Sequence, residues 1–348
     1  SDLRRQRQMC IRDSTEAPTI TCPGNQTASN DPGNCSAIVN GLAPTVTGDN
    51  CGIDSVSYVL TGATAGSGLN DASGNTFNVG ITTVTYTITD QSGNTANCNF
   101  NVTVNDAEAP SITCPTNQSV STDPGVCTAV VNNLTPSGLN DNCGIDSVSY
   151  TLTGVTTGNG STDASGTTFN GGSTTVTYYV YDLSGNVDSC SFTVTVNDTE
   201  APTITCPGNV TANSNAGCQA TVNGIAPLGT GDNCAVDSVS YTITGATTGS
   251  GGADASGTTF NAGVSTVTYT VYDVAGNSDT CNFTVTVLDT IAPFITCPNN
   301  VTQPNDPGAC AAVVNGLLPL TSGDNCGVDS VSYKSVSYTH LTLPTKVT

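Results

Sequence analysis

The sequence predicts an all-β protein made of tandem antiparallel β-sandwiches of about 92 residues each. A phrase close to EAPTITCP returns at this interval along the 348-residue chain. Threonine, serine, asparagine, glycine and valine dominate the composition, aromatic residues make up 5% and there is no tryptophan. Such a composition favours short strands and turns over helices, so each period is predicted to be one small β domain.

Alternation of apolar and polar residues marks the strands of one repeat. Residues 82–90 place Val84, Tyr86 and Ile88 on one face, and residues 99–104 follow after a Gly-Asn turn. These two strands are predicted to form a hairpin. Residues 36–42, 54–62 and 76–80 supply further strands upstream. About seven short strands with frequent turn signals indicate an immunoglobulin-like antiparallel sandwich.

The recurring phrase lies at the seam between repeats. Residues 105–115 read NDAEAPSITCP and residues 197–207 read NDTEAPTITCP, so the first half closes one sandwich and the second half opens the next. Proline fixes φ and removes a backbone donor, which stiffens a short linker. We therefore expect the sandwiches to follow one another as an extended, semi-rigid rod.

The charge distribution excludes several classes of partner. The formal net charge is -21, and no lysine or arginine occurs from Asp13 through Tyr333. The six basic residues lie near the two ends, at Arg4, Arg5, Arg7, Arg12, Lys334 and Lys346. A purely acidic body repels nucleic acid and anionic lipid, so neither is expected as a partner. No apolar run is long enough to insert into a membrane.

The same composition argues against catalysis. The repeats contain no histidine, lysine or arginine, so they offer no Ser-His triad, no Schiff-base lysine and no cationic oxyanion site. A pair of carboxylates could act as in a glycosidase, but no tryptophan offers a platform for a sugar. We predict that the chain is not an enzyme.

The two chain ends differ in composition from the body. Residues 336–340 can be read from the strand complementary to DNA that encodes residues 9–13. We therefore expect 1–14 and 335–348 to be adapter-derived tails rather than native protein. Between them, repeats are expected at 15–106, 107–198 and 199–289, followed by a truncated repeat at 290–334.

The cysteines predict disulfides. Fifteen of them lie outside the tails, four to a period, with no histidine and no C-x-x-C pair. This pattern argues against zinc and for two disulfides per repeat in an oxidising, extracellular compartment. Each such bridge is expected to stabilise its repeat by about 3–4 kcal/mol.

Four cysteines allow three pairings, and the sandwich selects one of them. The first strand of such a sandwich commonly runs beside the last, which brings the first cysteine of a repeat near the fourth and leaves the second for the third. Cys297 then has no partner. The expected pairs are Cys22–Cys98, Cys35–Cys51, Cys114–Cys190, Cys127–Cys143, Cys206–Cys281, Cys218–Cys234 and Cys310–Cys326.

The ordered motifs resemble one known family. The series EAPTITCP, DPG-x-C, DNCG, TTVTYT and C-x-F-x-V-x-V, recurring from Thr15 to about Tyr333, is similar to the hyalin repeat, or HYR domain. The resemblance implies an immunoglobulin-like extracellular module with a non-enzymatic role in adhesion or architecture, including tandem stalks on secreted bacterial proteins. The lack of basic residues and the incomplete fourth repeat depart from that pattern.

Acidic residues gather at the predicted seams, where linker, loop and hairpin turn share one end of a domain. Calcium favours six to eight oxygen ligands and would offset their repulsion. Aspartates in such turns also cap their own backbone, and the lack of a calcium loop of fixed spacing favours that alternative. The candidate ligands are Asp49, Asp54, Asp90, Asp106, Glu108, Asp141, Asp146, Asp182, Asp198, Glu200, Asp232, Asp237, Asp273 and Asp289. No other cofactor is expected.

Four sequons occupy equivalent places, three residues after the first cysteine of each repeat. Their asparagines, Asn25, Asn117, Asn209 and Asn300, are candidates for glycosylation. Threonine is common in strands, so composition alone also explains the pattern, and we favour that explanation unless the host is eukaryotic.

The sequence thus predicts a secreted or cell-surface structural segment, a stalk or fibre. Its expected partners are other copies of the repeat or neighbouring extracellular proteins and glycans. One alternative is an adhesin that binds a glycan or protein, in a calcium-dependent manner, through loops such as 64–75. Another is a spacer presenting a secreted enzyme encoded in the flanks.

Overall fold

The computed structural model describes residues 15–50 and 52–335. Within these residues the regular structure consists of strands, and no helix is present. The chain divides into two compact units. The first contains the residues up to Asp123 together with 127–197. The second contains 124–126 together with the residues from Asp198 onward. The predicted tails, apart from Ser335, and Cys51 lie outside the described residues.

Nine strands form each of three repeats, and each set has nearly the same lengths. The first repeat contains β1 (Thr19–Thr21), β2 (Gln26–Ser29), β3 (Ser36–Val39), β4 (Val46–Gly48), β5 (Ile53–Gly62), β6 (Gly66–Leu69), β7 (Asn75–Asn78), β8 (Gly80–Asp90) and β9 (Thr95–Asn105). The second contains β10 (Ser111–Thr113), β11 (Gln118–Ser121), β12 (Thr128–Val131), β13 (Ser137–Asn140), β14 (Ile145–Gly154), β15 (Gly158–Ser161), β16 (Thr167–Asn170), β17 (Gly172–Asp182) and β18 (Val187–Asn197).

The third repeat lies in the second unit. It contains β19 (Thr203–Thr205), β20 (Val210–Asn213), β21 (Gln219–Val222), β22 (Gly229–Gly231), β23 (Val236–Gly245), β24 (Gly249–Gly252), β25 (Thr258–Asn261), β26 (Gly263–Asp273) and β27 (Ser278–Leu288). The strands β28 (Phe294–Thr296) and β29 (Thr321–Gly323) follow it.

Each repeat is built on a five-stranded sheet, which in the first repeat has the order β2-β9-β8-β5-β6. Two short ladders, β1–β4 and β3–β7, complete it. The strand β2 runs parallel to β9, with Gln26 opposite Val102, whereas the other pairs are antiparallel. The predicted all-β fold of tandem repeats is therefore confirmed.

Alternation along the long strands places one face in the core, as predicted. Val84, Tyr86 and Ile88 are fully buried. The hydroxyl of Tyr86 donates to Leu42 O at 3.0 Å and accepts the N–H of Ala72 at 2.8 Å. A buried tyrosine that satisfies two loop backbone groups fixes the sheet to its loops, and Tyr178 and Tyr269 repeat the arrangement.

One strand, β6, lies inside the loop predicted at 64–75. Its sequence, GSGL, has low β-propensity, so periodicity does not reveal it. Gly68 faces the ring of Tyr58, and a Cβ at this position would clash with that ring. Gly160 faces Tyr150 in the same way. These glycines are therefore required for packing.

The structure contains the predicted bridges between the start and the end of each repeat. Cys22 bonds Cys98, and the equivalent pairs Cys114–Cys190 and Cys206–Cys281 recur. The pairing follows from the parallel β2–β9 ladder, which brings the first turn of the repeat beside its last strand. Both sulfurs pack against the hydrophobic core.

The second predicted pairing is wrong. Cys35 bonds Cys143 and Cys218 bonds Cys326, so each bridge joins one repeat to the next, 108 residues along the chain. The predicted pairs Cys35–Cys51, Cys127–Cys143, Cys218–Cys234 and Cys310–Cys326 are thereby excluded. Cys127 and Cys234 are also disulfide-bonded, and Cys297 and Cys310 are exposed free thiols.

The length of the last strand explains this correction. The loop before Cys35 lies at the end of β9, because Asn30 N donates to Asn105 O at 2.9 Å. Ile53, the first residue of β5, lies at the other end of β9, since it pairs with Asp90 beside the hairpin turn. An eleven-residue strand separates these two ends by about 33 Å, far beyond the reach of a disulfide.

Candidate metal centre at the first repeat junction

The junction between the first two repeats, which lie in one unit, is held by contacts on both sides of the linker at 106–108. Ala107 N donates to Asn30 Oδ1 at 3.0 Å, and Gly33 N donates to Glu108 Oε2 at 2.8 Å. The Cys35–Cys143 disulfide crosses the same junction. We call this linker, together with the loops 30–35 and 141–144, the first junction.

Asp182, the last residue of β17, organises the hairpin turn that follows. It is 2% exposed, and its Oδ1 accepts the N–H groups of Ser184 and Asn186, each at 2.8 Å. The side chain of Asn186 donates to Asp182 Oδ2 at 2.7 Å. Desolvation alone would raise the pKa of Asp182, but the donors from Asn186, Ser184 and Gly185 outweigh it and lower the pKa.

Asp141 begins the loop that leads into β14. Its Oδ2 accepts the N–H groups of Cys143 and Gly144 at 2.7 and 2.8 Å, as a capping aspartate would. Its other oxygen, Oδ1, is buried, and no hydrogen-bond donor reaches it among the described residues. Capping therefore satisfies only one of the two oxygens of this carboxylate.

Asp106, in the linker, is 8% exposed. Its Oδ1 accepts the N–H of Glu108 at 3.2 Å. Its Oδ2 is buried and, within 15–50 and 52–335, lacks a hydrogen-bond partner. A buried anionic oxygen without a donor is costly, because the free energy of desolvation is not recovered. A bound cation would recover this free energy of desolvation.

Asn142 was not among the predicted ligands. Its Nδ2 donates to Asn34 O at 3.0 Å and lies 3.5 Å from Asp106 Oδ1. Its Oδ1 is a third buried oxygen that no donor reaches in the described part of the chain. The recurring DNC triplet is the sequence signal that could have identified it.

The three aspartates converge. One carboxylate oxygen from each of Asp106, Asp141 and Asp182 lies within 4.8 Å of the other two. Two ligands on opposite sides of one calcium ion are separated by about 4.6–5.2 Å, twice the usual bond length, so all three oxygens can bind one ion. Carboxylate oxygens are hard donors of the kind calcium prefers. The residues therefore fit a calcium ion.

A recess of about 190 Å³, bordered by Gly33, Glu108, Asp141 and Asn142, opens beside Asp141. Calcium takes more ligands than the three carboxylates supply, and water would complete its coordination shell.

Two further groups of acidic residues occur in the second unit. Asp198, Asp232 and Asp273 repeat the three-carboxylate arrangement, and Asp232 N-terminal to Cys234 again caps its loop. Asp289 and Asp324 lie together with Cys326, whose sulfur is bound to Cys218 and cannot act as a thiolate ligand. This last group therefore offers two carboxylates.

The structure does not bring together all the predicted ligands. Asp54, Asp146 and Asp237 are exposed on the strands that follow the loop, because they lie two or more residues beyond its turn. Glu108 and Glu200 instead accept backbone N–H groups at 2.8 Å. Asp49 and Asp90, in the first repeat, belong to none of the three groups found in the described residues.

The sequon asparagines are exposed, and three of them support strand pairing. Asn25 Oδ1 accepts the N–H of Asn101 at 2.9 Å, and Asn117 and Asn209 do the same for Thr193 and Thr284. Glycosylation uses the side-chain nitrogen, so this contact is compatible with it. Glycosylation stays a prediction.

Comparison with known sequences settles the family. The HYR domain model matches residues 13–104, 105–196 and 197–287, which together make up most of the chain. The chain belongs to the HYR domain family. It is 34% identical over 352 residues to a protein named Hyalin from Strongylocentrotus purpuratus, covering 92% of this chain and 26% of that relative.

A second relative of this HYR chain is bacterial. The Serine-rich adhesin for platelets of Staphylococcus aureus (strain MRSA252) is 32% identical over 187 residues, covering 51% of this chain and 13% of the adhesin. The HYR chain thus spans about a quarter or less of the length of these two relatives. Its disulfides and its family place it outside the cell or on the cell surface.

Among solved structures, the HYR chain is similar to cadherin domains 3–6 of Protocadherin Gamma B2, with 14% identity, 79% and 78% coverage of the two chains and a TM-score of 0.30. A Ca²⁺-stabilized adhesin of an Antarctic bacterium gives 17% identity, 79% and 75% coverage and a TM-score of 0.28. In the described residues, no helix is long and apolar enough to cross a membrane.

Proposed function

We propose that this HYR chain is a non-enzymatic, load-bearing structural segment of an extracellular adhesion-type repeat protein. The observation that carries the proposal is the pattern of covalent bonds. Cys22–Cys98 joins the first turn of a repeat to its last strand, and Cys35–Cys143 joins one repeat to the next. A force applied along the chain then passes through sulfur bridges and not through the β-sheet.

The bridges limit how far the chain can lengthen. The two cysteines of each bridge within a repeat are 76 or 75 residues apart in the sequence. While the bond is intact, the residues between them cannot be pulled out into extended chain. Reduction would release roughly 250–270 Å of chain per unfolded repeat, at about 3.3–3.6 Å per residue. A segment that carries load benefits from this limit, whereas a catalytic domain gains nothing from it.

Single-molecule pulling of the full chain tests this function. We expect the oxidised chain to resist extension and to show no step of that length within the first three repeats. After reduction, steps of roughly 250–270 Å should appear. Steps of this size in the oxidised chain would show that the bridges do not carry the load, and the structural function would be rejected.

We further propose that calcium binds at the first junction and stabilises it. Support comes from the convergence of Asp106, Asp141 and Asp182, and from buried oxygens of Asp106, Asp141 and Asn142 that lack donors in the described structure. When bound, calcium would supply positive charge and a rigid link between linker, loop and hairpin turn. Isothermal titration with calcium should then show saturable binding to the intact chain.

The adhesin alternative is supported by the name of the staphylococcal relative. Its most direct test is a glycan and cell-binding array probed with the intact chain, with and without calcium. Specific, saturable binding would assign a recognition role to the repeats themselves. Binding that requires flanking sequence would instead favour a segment that carries other domains.

A further inference from the structure

The disulfide of the first junction and the acidic centre share one loop. Cys143 directly follows Asp141 and Asn142, and its N–H donates to Asp141 Oδ2 at 2.7 Å. Cys35 directly follows Asn34, whose carbonyl accepts Asn142 Nδ2 at 3.0 Å. The bond between Cys35 and Cys143 therefore closes a ring around the contact that places Asn142.

The linker is tied to the same loops. Asn30 Nδ2 donates to Asn34 O at 3.1 Å, and Asn30 Oδ1 accepts the N–H of Ala107, the residue after Asp106. The position of Asp106 thus depends on the loop that the disulfide anchors. Two of the three oxygens that lack donors, those of Asp141 and Asn142, lie on the other anchored loop.

We propose that the Cys35–Cys143 disulfide and the calcium centre are thermodynamically coupled, so that each stabilises the other. This inference rests on the proposed binding of calcium at the first junction. It makes the junction responsive to two conditions of the extracellular medium, its redox state and its free calcium.

The direction of the coupling follows from the charges. Without an ion, three carboxylates within 4.8 Å repel one another and favour separation of linker, loop and hairpin turn. The disulfide opposes that separation, so calcium meets a site that is already assembled. Without the disulfide, part of the binding free energy of calcium is spent on assembling the site, and the affinity falls.

Thermodynamic linkage requires that calcium affect the disulfide as strongly as the disulfide affects calcium binding. If the disulfide raises calcium affinity by a given factor, calcium shifts the disulfide equilibrium toward the oxidised form by the same factor. Coupling between protein sites is typically in the range of about 5- to 150-fold. For an anchor one residue from a ligand, we expect about tenfold.

The test uses the full chain with a single intact centre. Asp232→Asn and Asp324→Asn silence the groups of the second unit, because an amide keeps the capping acceptor and places an NH₂ group where the second oxygen stood. Free thiols are alkylated first. Calcium affinity is then measured by calorimetry in this background, with and without the double substitution Cys35→Ser and Cys143→Ser.

We expect the double substitution to weaken calcium binding about tenfold. The matched control is Cys218→Ser with Cys326→Ser, which removes an equivalent bridge beside a silenced group and should leave the affinity unchanged. The reciprocal measurement avoids cysteine variants: the ratio of reduced to oxidised dithiothreitol that half-reduces Cys35–Cys143, read by mass spectrometry, should rise about tenfold with saturating calcium.

The outcomes separate the coupling from the proposed site. Equal calcium affinity with and without the disulfide, or reduction that is indifferent to calcium, overturns the coupling and leaves the calcium centre intact. No calcium binding in the disulfide-intact background overturns the centre itself, and the coupling with it. A tenfold loss matched by a tenfold protection supports both.

Discussion

Replacement of Asp141 by asparagine distinguishes a calcium ligand from a simple cap. The substitution removes one negative charge from the group formed with Asp106 and Asp182. At 4.8 Å, a pair of unit charges costs about 3.5 kcal/mol at an effective dielectric constant of 20 and about 0.9 kcal/mol in water. Two such pairs disappear, which relieves between roughly 2 and 7 kcal/mol of repulsion.

Asp141 is half-buried, so solvent screens the repulsion between the carboxylates. Removing this repulsion should therefore stabilise the repeat by about 2 kcal/mol, the lower end of the range. Against it, the bonds from the N–H groups of Cys143 and Gly144 lose their charge-assisted character, a loss of about 1 kcal/mol. Without calcium, Asp141→Asn should therefore stabilise the second repeat by about 1 kcal/mol.

With calcium the sign reverses. Calcium at a hundredfold excess over its dissociation constant stabilises the native protein by about 2.7 kcal/mol, and Asp141→Asn forfeits most of this. Amide hydrogen exchange over the second repeat is the suitable assay, because several repeats do not unfold as one two-state unit. Peptides of the third repeat provide the internal reference.

The matched control is Asp146→Asn, which removes the same charge from an exposed position nearby. It should change stability by less than about 0.5 kcal/mol with or without calcium. If Asp141→Asn destabilises the repeat by about 1 kcal/mol equally in both conditions, Asp141 is only a cap and the calcium centre is wrong.

Three further results are expected from the second repeat. Tyr178→Phe leaves two buried loop groups unsatisfied and should cost about 2–3 kcal/mol, read as faster amide hydrogen exchange over the second repeat, whereas Tyr179→Phe on the outward face should be nearly neutral. Gly160→Val drives a side chain into a tyrosine ring and should cost about 1–3 kcal/mol, while Gly158→Ala has space and should be tolerated. The pKa of Asp182 is lowered on folding, so this carboxylate stabilises the repeat at neutral pH. The stabilisation is lost as the pH falls below the ordinary pKa of 3.8 and through the folded value. Denaturation midpoints measured in chelator should therefore depend more steeply on acid pH for the unsubstituted chain than for Asp182→Asn, and an equal dependence would contradict this.

Burial also raises the pKa of Tyr178 to about 12, although the hydrogen bond from Ala164 opposes the rise. The neutral phenol is the form that donates to Leu134 O, so the same contact that anchors the loop explains why ionisation is disfavoured. This buried hydroxyl therefore belongs to the fold and not to the chemistry of the junction.

Much of this protein follows from its sequence. The period of about 92 residues, the alternation along 82–90 and the cysteine register predict the repeats, the core face and the Cys22–Cys98 bridge, because each depends on local pattern or on the closure of a single sandwich. The Gly-rich strand β6 escaped prediction, since its role is to admit a neighbouring tyrosine ring and no periodicity reports that.

The tertiary structure alone decided what joins one repeat to the next. Cys51 follows Cys35 by a short stretch of chain, yet Asn30 and Ile53 lie at opposite ends of β9, and Cys35 bonds Cys143 of the following repeat. The same approach brings Asp106, Asp141 and Asp182 within 4.8 Å of one another. Contacts between residues far apart in sequence depend on where strands end in space. The sequence at the end of a strand does not show which distant residues lie beside it.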